Sequence, residues 1–273
     1  MTAAQGAEWG SKTNLEAWVS DIELTWRDTP EFKVPDSFKH LAIICDGNRR
    51  AAVGKGLKPY DGHRAGIEVI KGIMKASRNW GIRHLTFWTW STENWKRDEE
   101  QVGFVMGLAA KHLADSESLR TLVENRTKFT HLGRKDRLFQ GVVMAIDSLE
   151  RNTAGFNDRF VNLALDYGGL DELARAVVKM FEDTKRGKLN DSDLLSNPEI
   201  ILHYLDTSGQ PIPDLVVRTG TPAGEIPHTS GFMPLQTGYA GWVFLPQLFP
   251  DLKPGELLGT IQEFIAYERR IGK

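Results

Sequence analysis

A short apolar run, His40-Leu41-Ala42-Ile43-Ile44-Cys45, ends in Asp46-Gly47-Asn48-Arg49-Arg50. Consecutive apolar residues, two of them β-branched, predict a strand buried on both faces, and Asp-Gly-Asn directly after them predicts a turn. Asp46 then stands at the carboxyl end of a buried strand. Open α/β sheets bind ligands outside the carboxyl ends of their strands, so an acid with arginines behind it can hold a metal and an anion together. The same residues also suit an ordinary Asn/Asp turn with a solvated arginine pair.

A second cluster has the same form. His84 to Trp90 is dense in strand-forming residues and ends in Ser91-Thr92-Glu93-Asn94-Trp95-Lys96-Arg97. Ser91, Glu93 and Asn94 offer a hydroxyl, a carboxylate and an amide, and Arg97 offers a fork that matches phosphate oxygens. The alternative is a helix cap, because Asp98-Glu99-Glu100 opens a helix with Val102, Val105, Met106 and Ala109 on one face. Between the two clusters, Val53 to Tyr60 reads as a loop, and Gly62-His63-Arg64-Ala65-Gly66 opens a helix with Ile67, Ile70, Ile73 and Met74 at helical spacing. A helix start after a loop suits an anion. A histidine there is more commonly a cap or a surface residue, although the arginine-rich turn nearby favours a ligand role for His63.

Other elements must position these groups. Residues 1–36 read as an appended helical arm, with Leu15, Trp18, Ile22 and Trp26 on one face and Trp9, Trp18 and Trp26 as packing anchors, and Pro35-Asp36 divides it from a catalytic domain over 37–273. Strands at Lys128 to Leu132 and Phe160 to Leu165 are followed by helices at about 137–151 and 170–185. A helical stretch at 191–206, a strand at Leu215-Val216-Val217 ending at Arg218, an irregular segment, a strand at Trp242 to Leu245 and a closing helix at about 254–270 complete the chain. This alternation predicts a parallel sheet with helices on its faces.

Composition narrows the classes. The 273 residues are 41% hydrophobic with a formal net charge of -2, enough for one large α/β domain with ample core. A pI near 6.4 argues against a general nucleic-acid surface, so anion binding must come from local arginines. No apolar run approaches the ~20 residues of a membrane span. The first residues lack the apolar core of a signal peptide, so a cytoplasmic location is expected. Cys45, the single cysteine, allows no internal disulfide and reads as a small core residue. No Gly-x-Gly-x-x-Gly follows a strand, which sets aside a Rossmann dinucleotide site.

Taken in order, His40-x-Ala42-x-Ile44-x-Asp46-Gly47-Asn48-x-Arg50, Gly62-His63-x-x-Gly66, Leu85-Thr86 followed by Ser91-x-Glu93-Asn94-Trp95-x-Arg97, Asp214-Leu215-x-x-Arg218-Thr219-Gly220 and Glu268-Arg269-Arg270-x-Gly272 resemble the cis-prenyltransferases, which include undecaprenyl diphosphate synthase. The resemblance implies a single α/β domain with a six-stranded parallel sheet flanked by helices, a hydrophobic tunnel and a homodimer. It implies Mg²⁺-dependent condensation of isopentenyl diphosphate with an allylic diphosphate, forming cis double bonds, and transient membrane contact for product release.

Residue by residue, it places Asp46 as the acid that holds Mg²⁺ on a diphosphate and Gly47, Asn48, Arg49 and Arg50 as the phosphate loop, supported by His63. Ser91, Thr92, Glu93, Asn94, Trp95 and Arg97 match a second substrate-binding motif, in which Asn94 corresponds to the proposed proton acceptor. Arg218, followed by His228 and Ser230, matches the site for the homoallylic diphosphate.

The chain departs from that pattern in several places. Ala51 stands where a Trp is usual, the loop after Arg218 is longer, His228 replaces an arginine, and counting onward puts Gly241 where the family carries a second metal-binding glutamate. A charge-assisted hydrogen bond is worth ~1.5–3 kcal/mol, so the homoallylic site is expected to be weakened unless Glu225 substitutes. On this reading, His228→Arg with Gly241→Glu should strengthen it. Arg270-Ile271-Gly272 survives as the tail that can reach a neighbouring subunit's site. Two classes stay open: an active prenyltransferase, ordinary or altered in its acceptor, and a weakly active or inactive relative that binds an isoprenoid diphosphate or serves as a partner subunit.

Overall fold

The apolar runs become the strands of one sheet. The structure, a computed structural model, describes residues 12–267. Strands β1 (His40–Ile44), β2 (His84–Ser91), β3 (Thr127–Leu132), β4 (Arg159–Tyr167), β5 (Leu215–Arg218) and β6 (Gly241–Phe244) form a six-stranded sheet in the order β3-β4-β2-β1-β5-β6. Every pair is parallel, as the resemblance implied. The chain builds outward from β1 on one side and returns with β5 on the other, so the order reverses between β1 and β5. That crevice is where open α/β sheets take ligands, and there Ile44 stands opposite Arg218.

Helices cover the sheet: α1 (Lys12–Thr25), α2 (Asn48–Gly54), α3 (Asp61–Trp80), α4 (Glu99–Leu113), α5 (Ser116–Glu124), α6 (Gln140–Thr153), α7 (Gly169–Lys185), α8 (Asp191–Ser196) and α9 (Pro254–Ala266). Strand side chains alternate between faces. Leu41, Ile43, Leu85 and Phe87 pack with Leu15, Trp18, Ile22 and Trp26 of the first segment and with α3 and α9. Ala42, Ile44, Trp88 and Val216 pack on the other face with Tyr167, Phe232 and Met233. Trp88 and Trp90 are two apart and should share a face, yet Trp90 packs with α4 and α6. The register shifts between Trp88 and Ser91 explain this, because a bulge turns the following side chain over. Both indoles thereby flank the carboxyl end of β2.

Several expectations are corrected. The loop read from Val53 begins later, because α2 starts at Asn48 immediately after β1. Helix α5 was not foreseen, since its few apolar positions make a short amphipathic turn. The stretch 191–206 divides at Pro198 into α8 and a 3-10 helix (Pro198–Tyr204). Trp9 and the tail motif Arg270-Ile271-Gly272 lie outside the described residues. Among the described residues no helix is long and apolar enough to cross a membrane.

Candidate active site

Gly47 makes the abrupt passage from β1 into α2. Its φ of 102° is in the left-handed region that favours glycine, and a Cβ there would fall 2.8 Å from the Leu248 side chain. Thr219, fully buried after β5, pins Asp46: its hydroxyl accepts from the Asp46 N–H at 3.1 Å and donates to the Asp46 carbonyl at 2.9 Å. The Thr219 hydroxyl thereby fixes the backbone that carries the Asp46 carboxylate at the β1–β5 crevice. Its two oxygens face different arginines, Arg50 at 3.3 Å and Arg218 at 3.0 Å. Arg50 also donates to the Gly220 carbonyl at 2.6 Å, and Arg218 to the His228 carbonyl and the Ser230 hydroxyl, each at 2.7 Å.

The Gly-His-x-x-Gly motif has a packing cause. A Cβ at Gly62 would lie 1.9 Å from the Asn48 carbonyl, and one at Gly66 would lie 2.4 Å from Asn48 Oδ1. The two glycines let the starts of α2 and α3 touch, and this brings His63 beside Asn48. Asn48 donates to the Cys45 carbonyl at 2.9 Å, but its Oδ1 and the Nε2 of His63 are buried without a partner. His63 is pushed down to about 4, first by burial and then by the nearby positive charges of Arg97 and Arg49. It is a neutral imidazole among arginines. Buried polar atoms without partners are rare and costly, and here two adjoin the cavity.

After β2 the chain enters a 3-10 turn (Thr92–Lys96). Arg97 leaves it with its guanidinium 5.1 Å from the Trp90 ring. Burial, followed by the charge of Arg49, lowers its affinity for a proton, though a guanidinium stays charged. The Oδ1 of Asn94 accepts from the Ser91 N–H at 3.1 Å. Its NH₂ is a donor, and the same Oδ1 keeps a second lone pair that can still accept.

These groups line one cavity of about 910 Å³. Asp46, Gly47, Asn48, Arg49, Arg50, His63, Ser91, Glu93, Asn94, Arg97, Arg218 and Ser230 all border it. A second cavity of about 400 Å³ runs between α3, α4, α5 and the sheet, walled by apolar groups such as Ile67, Ile70, Met74, Phe129 and Leu163. Cys45, Asn48, His63 and Thr89 border both. The arginine-lined space thus adjoins an apolar one.

Three of the residues expected at the site do not border the polar cavity. Thr92 packs against Gly168, where a Cβ would meet its hydroxyl at 2.6 Å. The Trp95 indole donates to Asp166 at 2.7 Å. His228 stands behind Arg218, with Nδ1 3.2 Å from the Arg218 Nη1. Gly241 opens β6 in register with Leu215, the amino end of β5, and a Cβ there would strike the Phe264 ring at 2.4 Å. It is therefore at the wrong end of the sheet to complete this cavity. Thr219 and Gly220 were missed as site residues, although they directly follow Arg218.

Mg²⁺ is the ion the family implies, and the residues fit it modestly. Among the described residues no three His, Cys, Asp or Glu groups gather into a metal cluster. Mg²⁺ commonly binds through one or two carboxylates plus substrate phosphates, and Asp46 supplies a part-exposed carboxylate at the cavity.

The comparisons agree with this geometry. The family model described as "Putative undecaprenyl diphosphate synthase" matches residues 44–272. An isoprenyl transferase of Thermus thermophilus is 33% identical over 86% of this chain and 89% of its own length. The tritrans,polycis-undecaprenyl-diphosphate synthase (geranylgeranyl-diphosphate specific) of Pyrococcus furiosus is 36% identical over 86% of this chain and 87% of its own. Among solved structures, lavandulyl diphosphate synthase from Lavandula x intermedia, in complex with dimethylallyl diphosphate, superposes with a TM-score of 0.77 at 27% identity, covering 85% of this chain and 96% of that one. With the reversal point of the sheet, the arginine-lined cavity and these relatives in agreement, the chain belongs to the cis-prenyltransferases, the enzyme family of undecaprenyl diphosphate synthase.

Proposed function

We propose that this enzyme condenses isopentenyl diphosphate with an allylic diphosphate, lengthening a prenyl chain with a cis double bond. The observation that carries the reading is the contact between the two cavities: one suits a diphosphate and the other a hydrocarbon, and they meet at Cys45, Asn48, His63 and Thr89. Arg50 and Arg97 hold the allylic diphosphate, and its apolar tail lies along Ile67, Ile70 and Met74. When the allylic C–O bond breaks, negative charge grows on the departing diphosphate, where fixed arginines and the Asn94 amide N–H groups stabilise it more than water would. Trp88 and Trp90 border the cavity, and their ring faces favour the electron-poor carbon left behind. Arg218 and Ser230 hold isopentenyl diphosphate, whose double bond forms the new C–C bond. The proton then lost passes to an oxygen base in the cavity, for which Glu93 and the released diphosphate are the available groups. Mg²⁺ bound at Asp46 would act as a Lewis acid on the diphosphate oxygens.

His228 and the longer loop favour a second reading, an altered acceptor at the Arg218 site. A second copy of the chain is proposed to cover the exposed face of α7, where Val177, Val178 and Phe181 are 49%, 58% and 63% exposed. The enzyme is proposed to work in the cytoplasm with transient membrane contact for product release.

The test is incubation of the purified protein with labelled isopentenyl diphosphate, Mg²⁺ and a panel of allylic diphosphates, followed by product analysis and measurement of molar mass in solution. Longer cis-prenyl diphosphates are expected. Products made from two allylic diphosphates would favour the altered acceptor, and no product with any pair would overturn both readings.

A further inference from the structure

Trp95 sits in the middle of the Ser91–Arg97 motif, yet its indole faces away from the cavity. It donates to Asp166 Oδ1 at 2.7 Å, at the end of β4. Asp166 is fully buried, and its carboxylate also takes Nε and Nη2 of Arg137, the former at 2.8 Å. Its backbone has a φ of 56°, a left-handed conformation costly to most residues and tolerated best by Asp and Asn. The Asp166 carbonyl accepts from the Arg134 N–H at 3.1 Å. The segments following β2 and β3 thus converge on one acid of β4.

The other side of Trp95 leads to the site. Its ring meets Trp90 edge-on at 5.9 Å, and Trp90 carries the Arg97 guanidinium at 5.1 Å. Asn94 is the neighbouring residue in the same 3-10 turn. Such a short turn has poor hydrogen-bond geometry and little intrinsic stability. It needs an external anchor to present two groups at fixed positions.

We infer that Asp166 is a positioning residue: through the Trp95 indole it fixes the turn that presents Asn94 and Arg97 to the diphosphate. Arg137 balances its charge, so the buried acid adds no net repulsion to an anion site. Asp166 itself touches no substrate. The inference rests on the cavity being a diphosphate site, and the test separates the two.

The experiment titrates farnesyl diphosphate and inorganic diphosphate calorimetrically into the full chain and its Trp95→Phe, Asp166→Ala and Asp166→Asn variants, with melting temperatures in parallel. Trp95→Phe, which keeps a ring but loses the donor, should weaken both ligands several-fold. Asp166→Ala should weaken them about tenfold or more, since it removes a buried, charge-assisted hydrogen bond. Asp166→Asn keeps an acceptor and suits the left-handed backbone, so it should recover most of the loss. KM for the allylic diphosphate should rise while that for isopentenyl diphosphate stays constant, a split that general loosening would not produce. A parent that binds neither probe overturns the diphosphate reading, and the clamp with it. A parent that binds while Trp95→Phe binds equally well overturns the clamp alone, and this variant decides if Asp166→Ala does not fold.

Discussion

The two ends of the sheet are both polar, but they treat their polar atoms differently. At the amino end, His40 lies 2.7 Å from the Pro211 carbonyl and 2.8 Å from the Thr86 hydroxyl. Asn162 donates to Thr86 and Gln210, each at 2.9 Å, and accepts from Gln210 at 2.9 Å. His40, Thr86 and Asn162 have no exposed surface, and they satisfy one another. At the carboxyl end, His63 Nε2 and Asn48 Oδ1 are buried without partners, and Asp46 is part-exposed between two arginines. A closed network specifies register and gains stability, whereas a network with free capacity is prepared for a ligand. The amino end is built for folding and the carboxyl end for binding.

The sharpest way to break this contrast is Asp46→Ala. Turnover should fall by about a thousandfold or more, since one well-placed charged group in a site of this kind supplies about 10²–10³ and Asp46 also organises Arg50 and Arg218. Stability should change by only about 1 kcal/mol, because part-exposed ion pairs are worth little. Steady-state kinetics with urea denaturation checks both. Parent-level activity would remove Asp46 from the mechanism, and collapse of the fold would place it with the structural network.

The converse variant, Asn162→Ala, should leave kcat near its parent value in protein that remains folded, and cost about 2–4 kcal/mol in urea denaturation, as orphaned partners and a cavity are left behind. Loss of turnover at unchanged stability would mean that the two ends communicate.

Acid should test the buried histidines at both ends. Burial, the largest cause in each case, holds His40 and His84 down to about 4, as it does His63. The unfolded chain binds these protons near the reference value of ~6.5, so stability is complete above about pH 6.5 and is lost as pH falls toward 4. For His40 alone the loss is about 2 kcal/mol by pH 5. Urea midpoints should be flat from pH 8 to 6.5 and then decline. A midpoint constant down to pH 5 would show that protonated His40 is accommodated.

What the sequence disclosed follows the same division. Strands β1, β2 and β4 were legible because long apolar runs stop at polar clusters, and Asp46, Arg50, Arg97 and Arg218 were legible because each sits at such a stop. Helix α2 was not, because Gly47 is a turn signal whose left-handed backbone here starts a helix at once. Trp95 was assigned to substrate because a linear motif does not say which way a side chain turns, and the register shifts in β2 are not visible in residue types. Gly241 was placed by counting along an irregular loop, which carries no information about height in the sheet.

Gly241 and the loop before it lead to the smallest effect, one that tests where the boundary between the two ends runs. His228 holds Arg218 through its carbonyl, which any side chain retains, and through Nδ1 at 3.2 Å. His228→Arg keeps the carbonyl contact and adds a charge on an exposed loop. Isopentenyl diphosphate should bind about two- to fivefold more tightly, the scale of one exposed ion pair, with the allylic diphosphate unaffected. Gly241→Glu should give no such gain and should lower the melting temperature, because its side chain must displace the Phe264 ring. Titration of isopentenyl diphosphate at fixed Mg²⁺ into the parent and the two single variants reads the difference. Tighter binding by Gly241→Glu would carry the ligand site to the amino end of β6 and erase the contrast between the two ends, and no change in His228→Arg would show that the loop after Arg218 does not close on the anion.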